Sequence, residues 1–222
     1  VTWNGAINAV NYLGTFITNP DIESYLSSLM PSEDPVLREM EEMSANINLP
    51  IVGPIVGRLL NQLTTLSGAK RIFEMGSGIG YSAYWFAMAA GDGGIVYVTD
   101  KSETNLSLAE RFLSKGGMRE RVVMSLGDSL STLEESKGNY DIIFNDIDKE
   151  EYPAVVKKAY DKLRKGGMFI SDNLLWFGRV LTDDDSPSTL AVKEFTRMLL
   201  DHKGFFTTII PIRDGISISV KL

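Results

Sequence analysis

The chain has 222 residues, 44% hydrophobic and 23% charged, which are the proportions of an ordinary globular protein able to bury a full core without cross-links. It contains no cysteine, which excludes disulfides, thiolate metal sites and a cysteine nucleophile, and fits a reducing, cytoplasmic location. A net charge of −7 argues against general nucleic-acid binding, because phosphate contacts need a basic face, and no stretch is apolar enough for long enough to span a bilayer.

In chain order, Ala6–Ile17 is partly apolar, but Asn8 and Asn11 interrupt it and the first basic residue is Arg38, so it is not expected to be a secretory segment. The opening residue is Val1 rather than Met, which fits processing or truncation. Residues 20–68 are expected to be helical. Pro20 opens one segment, Ser32-Glu33-Asp34-Pro35 an acidic start to a second, and Ile55, Val56, Leu59, Leu60 and Leu63 recur at helical spacing in a third, Gly53–Leu66. From Lys70 short apolar runs alternate with amphipathic stretches. Strands are predicted at Arg71–Glu74, Ile95–Thr99, Val122–Leu126, Asp141–Asn145 and Met168–Ser171. Helices are predicted at Tyr81–Ala90, Glu103–Lys115, after Asp128, at Glu150–Leu163 and at Leu190–Asp201. Phe205–Ile210 and Ile216–Val220 follow as a hairpin. This pattern predicts one α/β domain over 1–222, with a helical segment 1–68 ahead of an α/β core 69–222. The core is a mostly parallel sheet with one antiparallel strand near its edge and helices on both faces.

The sequence Glu74-Met75-Gly76-Ser77-Gly78-Ile79-Gly80-Tyr81-Ser82 joins the first strand to a helix. Alternating glycines there let the backbone turn tightly and approach a ligand at the carboxyl end of the strands, although a plain strand-to-helix loop uses glycine too. Tyr81 stands where the dinucleotide fingerprint has its third glycine. Glu74, Asp100, Asp128, Asp146 and Asp172 all end or follow predicted strands, and carboxylates at one rim repel phosphate. They suit a cationic nucleoside cofactor, and S-adenosylmethionine has a sulfonium, an ammonium and a ribose diol. Asp100, twenty residues after Gly80, is placed for ribose hydroxyls, and Gly127-Asp128-Ser129 for the adenine; Asp128 equally suits a helix N-cap.

A second constellation ends the fourth and fifth strands: Asn145-Asp146-Ile147-Asp148-Lys149 and Ser171-Asp172-Asn173. Adjacent parallel strands bring Asp146, Asp172 and Asn173 together, and three oxygen ligands suit a hard cation, Mg²⁺ first, with Ca²⁺ or Mn²⁺ as alternatives. Lys149 beside a dication is a candidate general base; a solvated lysine paired with Glu150 or Glu151 is the competing reading. The sole histidine, His202, is expected on a helix surface. The acidic loop Gly178–Ser188, with Asp183, Asp184 and Asp185, either covers an acceptor site and disfavours a large anionic acceptor or is a solvated turn.

The segments Phe73–Ser82, Phe144–Tyr152, Gly166–Gly178 and Pro211–Lys221 resemble the cation-dependent O-methyltransferases, the group containing catechol and caffeoyl-CoA O-methyltransferases. Asp172-Asn173-Leu174-Leu175-Trp176, taken with Asp146-Ile147-Asp148-Lys149, is the most specific part, and the likeness runs from about Pro50 to Leu222. It implies a Rossmann-like class I methyltransferase fold with a seven-stranded sheet, cation ligands Asp146, Asp172 and Asn173, and Lys149 as base. It further implies a substrate mouth at Lys149 and Trp176, and a homodimer whose N-terminal helices shape the acceptor site. Turn, rim and resemblance together assign the cofactor site to Val52, Glu74, Gly76, Ser77, Ser82, Asp100, Asp128, Ser129 and Asp146. Phe195-Thr196, Ser129 and Ile147 depart from the family pattern, which leaves the acceptor open beyond a small catechol-like or phenolic molecule. A nicotinamide-dependent oxidoreductase and a non-catalytic nucleoside-binding protein are the competing functions.

Overall fold

The computed structural model describes residues 20–30 and 33–222, and of residues 20–23 the backbone alone; Ala6–Ile17 and Ser32 lie outside the described residues. Three helices come first: α1 (Pro20–Leu29), α2 (Pro35–Ile47) and α3 (Gly53–Ser67). Asp34 caps α2, its Oδ1 accepting from the Val36 amide at 2.7 Å, while its Oδ2 accepts from the Tyr84 hydroxyl at 2.8 Å. One carboxylate thus starts the helix and ties it to the α/β core.

The core alternates β1 (Arg71–Met75), α4 (Tyr81–Ala90), β2 (Ile95–Asp100), α5 (Glu103–Lys115), β3 (Val122–Leu126), α6 (Ser129–Glu135), β4 (Tyr140–Asn145), α7 (Tyr152–Lys162), β5 (Leu163–Ser171), α8 (Pro187–Asp201), β6 (Phe205–Ile210) and β7 (Ile216–Lys221). The seven strands are ordered β3-β2-β1-β4-β5-β7-β6. β1 to β5 pair in parallel, and β7 runs antiparallel to both β5 and β6. The expected mixed sheet, with its single reversed strand second from the edge, is what forms.

Alternation along the strands divides the core. Ile72, Val96, Ile142, Phe144 and Ile170 point to one side, where α2, α3, α4 and α5 lie; Phe73, Met75, Ile143 and Phe169 point to the other, under α7 and α8. Helix α4 is apolar nearly all round because it is covered on every side, with Tyr81, Ala83, Tyr84, Trp85, Phe86, Ala87 and Ala90 buried. Gly57 of α3 lies against Trp85: a Cβ there would sit 2.2 Å from its Nε1.

Most boundaries agree with the sequence reading to within two residues, and two shift by three or more. β5 starts at Leu163 rather than Met168, because Gly166 (φ 73°) and Gly167 break the apolar alternation while the backbone stays beside β4; a Cβ on Gly167 would meet the Tyr140 and Asp141 carbonyls at 3.0 Å. α8 starts at Pro187 rather than Leu190, with proline in its first turn, where the missing amide costs nothing.

Candidate active site

The strand order reverses at β1, which pairs with β2 on one side and β4 on the other. Ligands of open α/β sheets bind in the crevice beyond such a switch point. A cleft of about 690 Å³ opens there, a size typical of small-molecule sites. It is lined by Gly76 and Gly78 after β1, Asp100 and Lys101 after β2, Ser129 at α6, Asp146–Glu150 after β4, and Asp172, Asn173, Trp176 and Phe177 after β5. Leu49–Ile51, Asn105, Ser188 and Arg213 complete it.

The glycine turn is held by its neighbours. The amides of Gly76 and Ser77 donate to the Thr99 carbonyl at 3.1 and 3.0 Å, and the Gly78 amide to Asp100 Oδ2 at 2.8 Å. Gly76 has φ 79°, and a Cβ there would lie 2.3 Å from the Asp146 carbonyl oxygen, so the end of β4 abuts this turn directly. Gly80 (φ 82°) lets the start of α4 pack on α5, where a Cβ would meet that of Ala109 at 2.9 Å. Close helix packing therefore falls to Gly80, and Tyr81 is free to donate to Glu41 Oε1 of α2 at 2.6 Å.

Glu74 occupies a core position. By alternation it shares the Ile72 side of β1, beneath α4, and it is 0% exposed. The Ser82 hydroxyl donates to Oε1, and Ser77 also lies near enough to favour the charged carboxylate, although among the described residues neither Oε2 nor the buried Ser77 Oγ completes a hydrogen bond of good geometry. Burial pushes the Glu74 carboxyl up to about 8; the Ser82 bond opposes the rise and the nearby Asp146 charge adds to it. Ser129 is also buried and shares a 2.7 Å hydrogen bond with Thr99.

Of the residues assigned to the cofactor, Gly76, Asp100, Ser129 and Asp146 line the cleft; Val52, Glu74, Ser77, Ser82 and Asp128 are absent from the lining. Val52 is buried at the start of α3. Asp128 caps α6, its Oδ1 accepting from the Ser131 amide and hydroxyl, both at 2.8 Å. Asp100 holds both the glycine turn and the start of α5, its Oδ1 accepting from the Ser102 amide at 2.8 Å.

The second constellation converges as its strand register requires. Asn145 and Ser171 are partners across β4 and β5, so Asp146 and Asp172 follow side by side. Asp172 is 3% exposed, and burial together with the facing Asp146 charge pushes its carboxyl up to about 7. Asn173 (φ 59°) donates its backbone amide to Asp172 Oδ1 at 2.8 Å and its side-chain amide to Asp214 Oδ2 at 3.3 Å. Among the described residues no three His, Cys, Asp or Glu side chains form a metal cluster; this set is two carboxylates and an amide. Its chemistry fits a dication, because two close carboxylates, one buried against its own ionisation, are relieved by a positive charge and offer only hard oxygens.

Lys149 turns inward. Its side chain is 11% exposed, and Nζ donates to Asp146 Oδ1 at 3.1 Å, the Ile147 carbonyl at 3.2 Å and the Tyr152 hydroxyl at 2.8 Å. The Tyr152 hydroxyl in turn donates to the Asp172 carbonyl oxygen at 3.0 Å, and burial holds its phenol well above the ordinary range. Lys101, not Lys149, pairs with Glu151, at 2.7 Å. Trp176 (φ 46°) borders the cleft between two cations, with Lys149 Nζ 5.8 Å and the Arg179 guanidinium 5.6 Å from its ring.

In the acidic loop, Asp184 is consumed locally by Arg179, Ser186 and Thr189, and Asp183 and Asp185 are exposed; none of the three lines the cleft. The three aspartates thus do not face the cleft, while Ser188 at the end of the loop lines it. His202 is half-buried rather than on the surface, its Nδ1 accepting from the Gly204 amide at 3.1 Å and its ring against Tyr160 and Phe205. Sequence reasoning missed Tyr152, Arg213, Asp214 and the Leu49–Ile51 wall. A tyrosine opening a helix and an aspartate in a hairpin turn carry ordinary structural explanations, so nothing local marks them.

The model of the O-methyltransferase family matches residues 27–222. Catechol O-methyltransferase of Mycobacterium tuberculosis is 29% identical over 194 residues, covering 86% of this chain and 88% of the relative. Caffeoyl-CoA O-methyltransferase 2 of Eucalyptus globulus is 30% identical over 207 residues, covering 86% and 84%. Among solved structures, the O-methyltransferase from Bacillus cereus in complex with SAH superposes with a TM-score of 0.83 at 27% identity, covering 91% of this chain and 97% of that one.

Proposed function

The chain belongs to the O-methyltransferase family, and from that premise we propose that it moves the methyl group of S-adenosylmethionine to a hydroxyl of a small catechol-like or phenolic acceptor, with a divalent cation and Lys149 as base. The observation that carries this reading is the meeting, in one cleft, of the glycine turn with Asp146, Asp172, Asn173 and an inward-facing Lys149.

The proposed division of labour follows from the side chains. Gly76 and Gly78 let the cofactor approach the backbone, and Asp100 and Ser129 border its nucleoside; Glu74, Ser77, Ser82, Val52 and Asp128 support that surface from behind. Asp146, Asp172 and Asn173 are the residues that would hold the cation. There a dication, Mg²⁺ being the first candidate, would supply Lewis-acid chemistry that makes an acceptor hydroxyl more acidic.

To act as base Lys149 gives up its Nζ–H bond to Asp146, which a bound cation would engage instead, and then takes the hydroxyl proton at Nζ beside Tyr152. Trp176 covers the acceptor ring. In the net reaction an oxygen–carbon bond forms, the sulfur–methyl bond breaks, and the proton leaves on Nζ. Positioning in the cleft supplies much of the acceleration.

Family membership sets aside the nicotinamide reading, and the acidic rim opposes a pyrophosphate in any case. A methyl-transfer screen of catechols and flavonoids, with Mg²⁺ and after exhaustive chelation, tests the proposal. Turnover that survives chelation, or that survives Lys149→Ala, overturns it; cofactor binding without turnover on any phenol returns the non-catalytic reading. We also expect residues 1–222 to behave as one domain and two copies to associate, in a cytoplasmic setting. Sedimentation tests the dimer; among the described residues no helix is long and apolar enough to cross a membrane.

A further inference from the structure

The turn between β6 and β7 carries a carboxylate for which the proposed chemistry has no use. Asp214 is 6% exposed, its Oδ2 accepting from Asn173 Nδ2 at 3.3 Å and its Oδ1 from the Phe177 amide at 2.5 Å. Its backbone joins the same knot: the Leu175 amide donates to the Asp214 carbonyl at 2.8 Å and the Leu174 amide to that of Gly215 at 3.0 Å. Gly215 (φ 86°) permits this approach, since a Cβ there would lie 2.5 Å from Leu175 Cγ. Asn173, Trp176, Phe177 and Arg213 all hold left-handed conformations here, with φ of 59°, 46°, 52° and 49°. Non-glycine residues stay in that region only where their surroundings over-determine them, and such strain gathers at working sites.

A primary amide has one donor end and one acceptor end, whereas an ionised carboxylate can only accept. With the nitrogen of Asn173 engaged by Asp214, its oxygen is the end left for a cation. We infer that Asp214 is a positioning residue: it selects which end of Asn173 meets the cation and, through the Phe177 amide, ties that choice to the Trp176–Phe177 lip over the acceptor. The inference rests on the cation-dependent reading above. It also accounts for an amide at 173 among acidic neighbours, because a carboxylate there would face Asp214 with like charge.

Mn²⁺ binding to the full chain with S-adenosylhomocysteine present, followed by electron paramagnetic resonance, tests it. In Asp214→Asn the introduced amide nitrogen pairs with Asn173 Oδ1 and turns the wrong end of Asn173 to the cation, so affinity falls about 10–100-fold, as when partners of metal ligands are removed. Asn173→Asp alone also weakens binding. The double variant Asn173→Asp, Asp214→Asn restores a donor–acceptor match and recovers most of the affinity, which general damage to the fold would not allow.

S-adenosylhomocysteine affinity, read by calorimetry, stays near wild type in all three variants. Wild-type Mn²⁺ affinity in Asp214→Asn, or a double variant no better than the singles, overturns the inference while leaving the cation reading intact. A wild-type chain that binds no Mn²⁺ overturns both.

Discussion

The two halves of the cleft are built on different principles. Around β1, β2 and β3 the surface is mostly backbone, and each acidic side chain near it has a donor: Ser82 for Glu74, the Gly78 and Ser102 amides for Asp100, the Ser131 amide for Asp128. Around β4, β5 and the β6–β7 turn the surface is side chain. Asp146 and Asp172 face each other, Asp214 holds Asn173 from the next turn, and four non-glycine residues are held left-handed. A nucleoside can be recognised by a turn whose conformation glycine makes inexpensive. The cation and proton acceptor proposed for the other half would need charges that repel one another in the free protein, and the fold carries their cost.

The comparison breaks most severely at Gly76, where the halves touch. Gly76→Val drives a side chain into the Asp146 carbonyl from a backbone with φ 79°, so it should damage both sides together. S-adenosylhomocysteine binding is expected to weaken by roughly 100-fold or more, a loss of about 3 kcal/mol, by calorimetry. Lys149→Ala should separate the halves instead, lowering kcat by about 10²–10⁴-fold while leaving S-adenosylhomocysteine affinity near wild type. Parallel loss of binding would show that Lys149 supports the cofactor side. Trp176→Ala should raise the acceptor KM about tenfold, near the contribution of one buried aromatic contact, with little change in cofactor affinity.

Glu74 supplies a test by pH. Its carboxyl is raised from 4.5 to about 8 in the folded protein without cofactor. Between those values the folded state keeps a proton that the unfolded chain releases, so stability should fall as pH rises through that window. Glu74→Gln should flatten this decline in urea unfolding at pH 5 and pH 8; an unchanged slope places its origin elsewhere. The smallest effect is expected at Lys101, 53% exposed and bridging Glu151, Asp128 and Asp148. Lys101→Ala should cost less than about 1 kcal/mol, fading further in salt.

Much of the fold could be read from alternation alone. Ile72, Phe73, Ile142, Ile143 and Phe144 mark strands buried on both faces, and parallel pairing then requires Asp146 and Asp172 to emerge side by side. The glycine turn was legible for the same reason: it sits between a strand and a helix. Asp128 is the cap that its position after a strand suggests, and Asp100 fastens the glycine turn and the start of α5. The contacts of Asn173 with Asp214, 41 residues apart, and of Arg213 with the Ile51 carbonyl, 162 apart, were not legible. They depend on how a reversed hairpin meets the end of β5 and on where the α2–α3 connection crosses the cleft, and neither leaves a periodic trace.

The sheet order also sets a timetable for synthesis. β7 lies between β5 and β6, so β6 is made before the strand that joins it to the rest. Until β7 arrives, the β5 edge is open to other chains, and Asn173 and Phe177 have only part of the knot that holds them. Domains generally fold as units, so the acceptor side stays incomplete until β7 has been made. A ribosome stalled between β6 and β7 would then carry a nascent chain with an unfinished acceptor site and an edge prone to aggregate.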